Sequence, residues 1–411
     1  MTSLSSAFQN SWTFKTETHT NTFTQTSRLI SIATLLAATV APSVYAAPTD
    51  QAYRIYNRIT GTPPTAQMLQ NLTMLVENGQ ADNAASLAMQ DPSFCSVTLK
   101  NFAAKYTTFD ASPLTPMNDA SALIIGLIRD SADFRQVLTA DLTYIGADGV
   151  VTAPYSQTDN EHYVQLEQSL VDLCDPDLFV ATAQSALPDT VLTPGDTAGY
   201  MTTRGAAEQF YEAGTNRAMY RAVSMNFMCK DLEALSDTSI APDRIRQDVP
   251  RSPGGSSELF LNNCIGCHAG MDALAGAFAY YQWNEDEMRL EFTPGEVQPK
   301  FLINPSIFPS GYVTSDDSWI NKWREGSNRT IGWSESLPGA GNGPKSFGEE
   351  IGNSQQFANC QVERVFEEVC FRKPTSLADK MAAASIAQDF AATNYNMKTV
   401  FAKTAVHCMG E

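Results

Sequence analysis

The sequence predicts a mainly α-helical, multi-helical fold whose C-terminal part carries one or two small β-hairpins. Three observations lead there. Apolar residues recur at helical spacing in several separate windows. Gly and Pro stand where those windows start and stop. Between Met288 and Ser315 the pattern changes, and short β-friendly pieces alternate with Pro and Gly.

The elements follow in chain order. Residues 1–28 are a Thr- and Ser-rich leader, and Arg28 directly precedes an uncharged run from Leu29 to Ala47. Val44-Tyr45-Ala46 has the small-residue spacing of a signal-peptidase site, so residues 1–46 read as a signal peptide cut after Ala46. The competing reading is a retained anchor, but the run barely reaches spanning length and Pro42 breaks it. No stable membrane insertion is expected after cleavage, and no cysteine follows the cut to carry a lipid.

Thr62-Pro63-Pro64 reads as a helix start with Thr62 as cap and Pro63 at the first position; Met68, Leu72, Leu75 and Val76 make the apolar face and Gly79 the stop. Leu123 to Ile128, and Phe134, Val137 and Leu138, suggest two core helices. Val362, Val365, Phe366 and Val369 form a helical stripe that Pro374 ends, and Leu377, Met381 and Ala384 begin the second arm of a hairpin. Residues 146–160 and 236–257 have linker composition. These breaks divide the exported chain into an N-terminal helical domain (47–150), a middle helical region (151–245) and a C-terminal domain (246–411).

The chain has 411 residues, 27 Lys+Arg against 45 Asp+Glu, and a net charge of -18. With 43% hydrophobic and 18% charged residues it is globular rather than disordered. The acidic balance argues against nucleic acid and anionic membrane surfaces as partners.

The motif that carries chemistry is Cys264-Ile265-Gly266-Cys267-His268, a CxxCH. This is the attachment signature of c-type haem. Two thiols three positions apart lie on one helical turn and can each add to a porphyrin vinyl group; the adjacent histidine then faces the iron as proximal ligand. One covalent haem c held by Cys264, Cys267 and His268 is therefore expected. A Cys264–Cys267 disulfide is one alternative. Half of a zinc site is the other, but no second CxxC or HxxxH pair completes it. Gly254-Gly255-Ser256 before Glu258 marks the start of the helix that carries the motif. Trp283, Trp319, Trp323 and Trp333 follow it closely, as haem cover or as plain core.

The distal ligand is open. Met271 lies on the proximal side; Met201, Met225, Met228, Met288, Met397, Met409, His162 and His407 are the candidates. The other six cysteines, Cys95, Cys174, Cys229, Cys360, Cys370 and Cys408, allow 15 pairings. Cys370 and Cys408 flank the C-terminal hairpin and are the first pair to test. Cys360 and Cys370 share a helix, too far apart to bond.

The stretch CIGCHAGMDALAGAF from Cys264 resembles the haem segment of the planctomycete-type cytochrome c domain proteins, exported mono-haem bacterial proteins of mostly undefined function. AGTNRAMYR (213–221), RQDVPRSPGG (246–255), FPSGYVTSDDSWINKW (308–323) and NSQQFANCQVERVFEEVC (353–370) agree with it. So do YRIYNRITGTPP (53–64) and GLIRDSADFRQVLTADLTYIG (126–146). The likeness covers most of the exported chain and is strongest from 213 to 370. One departure is that Asp272-Ala273-Leu274-Ala275-Gly276 lacks the proline many relatives have there. The resemblance implies a periplasmic or secreted mono-haem protein without naming a substrate. Electron transfer to a redox partner protein is the leading expectation; a peroxidase- or oxidase-type enzyme with an open distal site, or a binding or assembly protein with a structural haem, are the alternatives.

Overall fold

The helix Pro48–Thr60 starts on a proline, whose missing N–H is no loss in a first turn, and stops at Gly61 in the left-handed region at φ 71°. It buries Ala52, Ile55, Tyr56 and Ile59. This face packs on helices Ala66–Glu77 and Ala81–Ala88 and on the last helix, Met397–His407. Arg58 also donates to the Val369 carbonyl, so the first described helix packs with the C-terminal helices. The computed structural model describes residues 46–212 and 214–410; the signal peptide expected over 1–46 lies outside them except for Ala46.

At the centre runs Asp119–Arg129, with every residue buried. Asn118 and Ser121 form a reciprocal capping box at its start. The Asp119 carboxylate accepts from the backbone N–H groups of Arg204 and Gly205 at 2.6 and 2.8 Å, and so caps the helix Arg204–Phe210.

The fold is mainly α, as expected. Among the described residues the strands form three two-stranded antiparallel ribbons: β1 (Thr143–Gly146) with β2 (Phe179–Thr182), β3 (Tyr281–Asn284) with β4 (Arg289–Phe292), and β5 (Ser318–Ile320) with β6 (Ala340–Asn342). Residues 293–315, expected to hold hairpin strands, instead run as irregular chain with a 3-10 turn at Pro299–Leu302. Pro299, Pro305 and Pro309 cannot donate to a ladder there.

Other expectations shift. The second helix begins at Ala66, with Thr65 rather than Thr62 as cap, because each of the two prolines disfavours helical backbone in the residue before it. Phe134–Leu138 is a short 3-10 turn pinned by the Asp133 cap, not a core α-helix. The helix Leu377–Ala392 turns Leu377, Met381 and Ala384 to solvent and buries Ile386, Ala387 and Phe390. Asp379 sets that rotation, since its carboxylate is buried and bonded to the exposed Arg372 and to His407 Nε2, both at 2.8 Å. The stripe Val362, Val365, Phe366 and Val369 is buried on helix Gln355–Val369.

Three disulfides form: Cys95–Cys174, Cys229–Cys360 and the expected Cys370–Cys408. The first crosses the 150/151 boundary and the second crosses 245/246, which ties the three expected segments together. No helix among the described residues is long and apolar enough to cross a membrane.

Candidate functional site

The site is built on one helical run. Ser256 caps it, accepting from Leu259 N–H; the helix Ser257–Leu259 widens into a π turn at Phe260–Cys264 and continues as Ile265–Ala275. Such wide turns interrupt α-helices often at functional sites. Cys264, Cys267 and His268 fall within about 100° of helix circumference, at i, i+3 and i+4, so they share one face.

The opposite face is closed. Residues two positions apart on a helix point about 200° away, so Gly266 and Gly270 lie behind the motif. Both positions exclude a side chain. A Cβ on Gly266 would stand 2.3 Å from Ser236 Oγ, and one on Gly270 would stand 2.1 Å from Trp323 Cε2. The Gly266 carbonyl also accepts from Asp237 N–H at 3.1 Å. The stretch 236–257, read as a linker, therefore packs on the motif, and Ile240, Ile245, Arg246 and Val249 are buried within it.

The thiols of Cys264 and Cys267 are free and half-buried, while the other six cysteines pair. Burial raises the Cys267 thiol above its ordinary value, and a hydrogen bond with Ser236 works against the rise. The Cys267 Sγ lies 3.3 Å from the Leu232 carbonyl.

His268 is fixed from behind. Its Nδ1 lies 3.1 Å from Oδ1 of Asp272, one turn on along the same helix. Asp272 is fully buried, and its carboxylate accepts from Arg217 Nε at 2.6 Å and Nη2 at 2.9 Å, and from Arg246 N–H at 3.2 Å. Burial alone would raise this carboxyl, but Arg246 and Arg217 outweigh it and hold the group far below the usual carboxylate range. Arg217 bridges on to Asp248 at 2.7 and 3.0 Å. A charged acceptor at Nδ1 favours the tautomer with its proton there, which leaves Nε2 as the basic nitrogen. Nε2 makes no hydrogen bond among the described residues.

Reading the sequence for ligands alone misses Asp272, Arg217 and Arg246. The His-x-x-x-Asp spacing on a helix is the local signal for the first; the two arginines, 55 and 26 residues away, have none.

Trp323 is fully buried against Gly270, behind the motif, and its carbonyl accepts from Trp333 Nε1 at 2.9 Å. Trp319 donates to Ser346 Oγ and packs edge-on to Phe347, and Trp283 sits in β3. Of the distal candidates, His162 has both ring nitrogens engaged, one with the Ala153 carbonyl and one with Gly146 N–H. His407 is held by Asp379. Met201, Met228 and Met397 are buried in the hydrophobic core, and Met271 is buried on the motif helix. Met225 lies in a cleft beside Asp231 and Arg364, Met288 is exposed in the β3–β4 turn, and Met409 is part-buried at the C-terminus.

Among the described residues no group of three or more His, Cys, Asp and Glu side chains is placed to hold a metal ion. The donor set on the motif face, two free thiols and one oriented imidazole, suits an iron already carried by a macrocycle rather than a bare ion. These residues fit haem c. No family model, no curated protein and no solved structure matches this chain.

Proposed function

We propose that this chain is an exported mono-haem c-type cytochrome that transfers electrons, akin to the planctomycete-type cytochrome c domain proteins. The observation that carries the reading is the motif face itself: free thiols at Cys264 and Cys267, and His268 oriented by a fully buried Asp272. Cys264 and Cys267 would each add across one vinyl C=C, the sulfur bonding one carbon and the thiol hydrogen going to the other, with no net oxidation. His268 would present Nε2 as the proximal ligand, and Asp272 would hold its Nδ1 proton. The bound haem supplies a one-electron iron couple.

Three disulfides support an oxidising compartment. The exported chain, at -19 without residues 1–46, suits a partner that presents a basic or neutral face.

The test is expression with export and the covalent haem-attachment machinery, followed by haem stain on a denaturing gel and a pyridine haemochrome spectrum. One covalent haem per chain is expected, lost in Cys264→Ala/Cys267→Ala. Haem retained by that variant overturns the site. A low-spin haem unreactive to CO and peroxide supports electron transfer; a high-spin, CO-binding haem shifts the reading to an enzyme.

A further inference from the structure

We propose that a cavity between helices Asp119–Arg129 and Arg204–Phe210 binds a free α-amino acid as its zwitterion, the carboxylate meeting Asn118 and Arg204 and the ammonium meeting Asp159 and Glu208. The inference does not rest on the haem reading. The cavity holds about 350 Å³, and all four of these residues line it. That is room for a small ligand.

The donors are built into the fold. Asn118 is only 9% exposed, and its Oδ1 accepts from Ser121 N–H at 3.1 Å in the capping box. That bond fixes which end of the amide is which. Nδ2 is turned away from the helix and has no acceptor among the described residues. Gly205, which also lines the cavity, keeps this nitrogen uncovered: a Cβ there would stand 2.6 Å from Nδ2. Arg204 is 6% exposed. Its Nη1 donates to Glu208 at 3.1 Å and its Nη2 to Asn160 Oδ1 at 3.5 Å, while its Nε has no acceptor among the described residues. The backbone N–H groups of Arg204 and Gly205 are already taken by Asp119, so the side chains supply the donors. Thr108 Oγ1 lines the same cavity, buried and without a partner. Donors left unpaired in a buried setting cost free energy that a bound acceptor recovers.

The acceptors stand nearer the surface. Asp159 is exposed, and its carboxyl lies below the usual carboxylate range, chiefly because it accepts from Glu161 N–H at 2.9 Å. Glu208 is part-exposed, and only one of its oxygens is engaged by Arg204. Opposite charges at two places in one cavity select the ligand. A neutral sugar would leave both without a counter-charge. A dicarboxylate would set like charge against Asp159 and Glu208, and a diamine would do the same against Arg204. A carboxylate and an ammonium on one small molecule match both, through charge-assisted hydrogen bonds.

The test uses the exported chain at low salt. Thermal unfolding is followed with millimolar L-serine, L-alanine and L-lysine, and titration calorimetry then compares the best of these with its amide and its N-acetyl derivative. At least one amino acid should raise Tm, since a ligand of the native state stabilises it. Its amide, which lacks the carboxylate, and its N-acetyl form, which lacks the ammonium, should each bind at least about tenfold more weakly. Arg204→Met and Asp159→Asn should weaken binding by a similar factor. Asp177→Asn, at an exposed carboxylate outside the cavity, should change nothing. Asp159 is exposed, so its variant keeps the test valid if Arg204→Met fails to fold. No Tm rise with any of the three, equal binding of either blocked derivative, or full affinity in Asp159→Asn overturns the proposal. None of these outcomes bears on covalent haem, which is read separately.

Discussion

Replacing Gly270 with alanine adds one methyl group to helix Ile265–Ala275 where Trp323 already fills the space. The new Cβ would stand 2.1, 2.3 and 2.6 Å from Cε2, Nε1 and Cζ2 of that ring. Carbon pairs prefer about 3.5–4.0 Å, so the ring would have to withdraw by more than ~1 Å. It has little freedom to do so. Trp323 is fully buried, the Tyr220 ring lies 5.6 Å away, and Trp333 holds its backbone carbonyl. Overpacking of this kind costs up to about 3 kcal/mol. Alanine returns up to about 1 kcal/mol over glycine in a helix interior. The net loss is about 2 kcal/mol, or a fall in Tm of roughly 4 °C for a large domain. Thermal unfolding followed by circular dichroism, with a urea midpoint as a second measure, reads it. The same substitution in a Trp323→Leu background should reverse sign, because the clash is gone and only the helix propensity remains. If Gly270→Ala alone matched or exceeded the wild-type Tm, the packing argument for the back of the motif helix would be wrong.

Asp272→Asn should lower stability by about 3 kcal/mol, since it leaves the buried Arg246 without its counter-charge; a urea midpoint within error of wild type would show that the pair is not coupled to folding. Lys300 gives a pH dependence. Burial pushes its ammonium down to about 7, with Glu291 opposing only in part, while its Nζ donates to the Tyr211 carbonyl. Between pH 7 and the ordinary value of 10.5 the unfolded chain holds a proton that the native chain lacks, so stability rises with pH across that window. Lys300→Met should flatten this rise by on the order of 3 kcal/mol, read from urea midpoints at pH 7 and 10; equal slopes in the two proteins would refute the assignment. Removing the Cys370–Cys408 disulfide with a pair of serines frees a loop spanning 38 residues and should cost about 4 kcal/mol by loop-closure entropy, visible as a lower urea midpoint.

The sequence by itself determined what is encoded within a few residues. The spacing of Cys264, Cys267 and His268 already places them on one helical face, because a helix fixes that relation wherever it sits. The stripe from Val362 to Val369, the glycine stop at Gly79 and the pairing of Cys370 with Cys408 are legible for the same reason: each depends on local periodicity, a backbone conformation or a short connection. Tertiary structure alone decided the rest. Arg217 and Arg246 reach Asp272 from 55 and 26 residues away, and Cys229 finds Cys360 across 131. Trp323 went behind the motif because Gly270 leaves room there, and the helix Leu377–Ala392 rotated its expected apolar face outward because Asp379 is buried and bonded to Arg372 and His407. Contacts between distant segments follow from which surfaces fit once all helices compete for one core, and periodicity within a single segment carries no record of that competition.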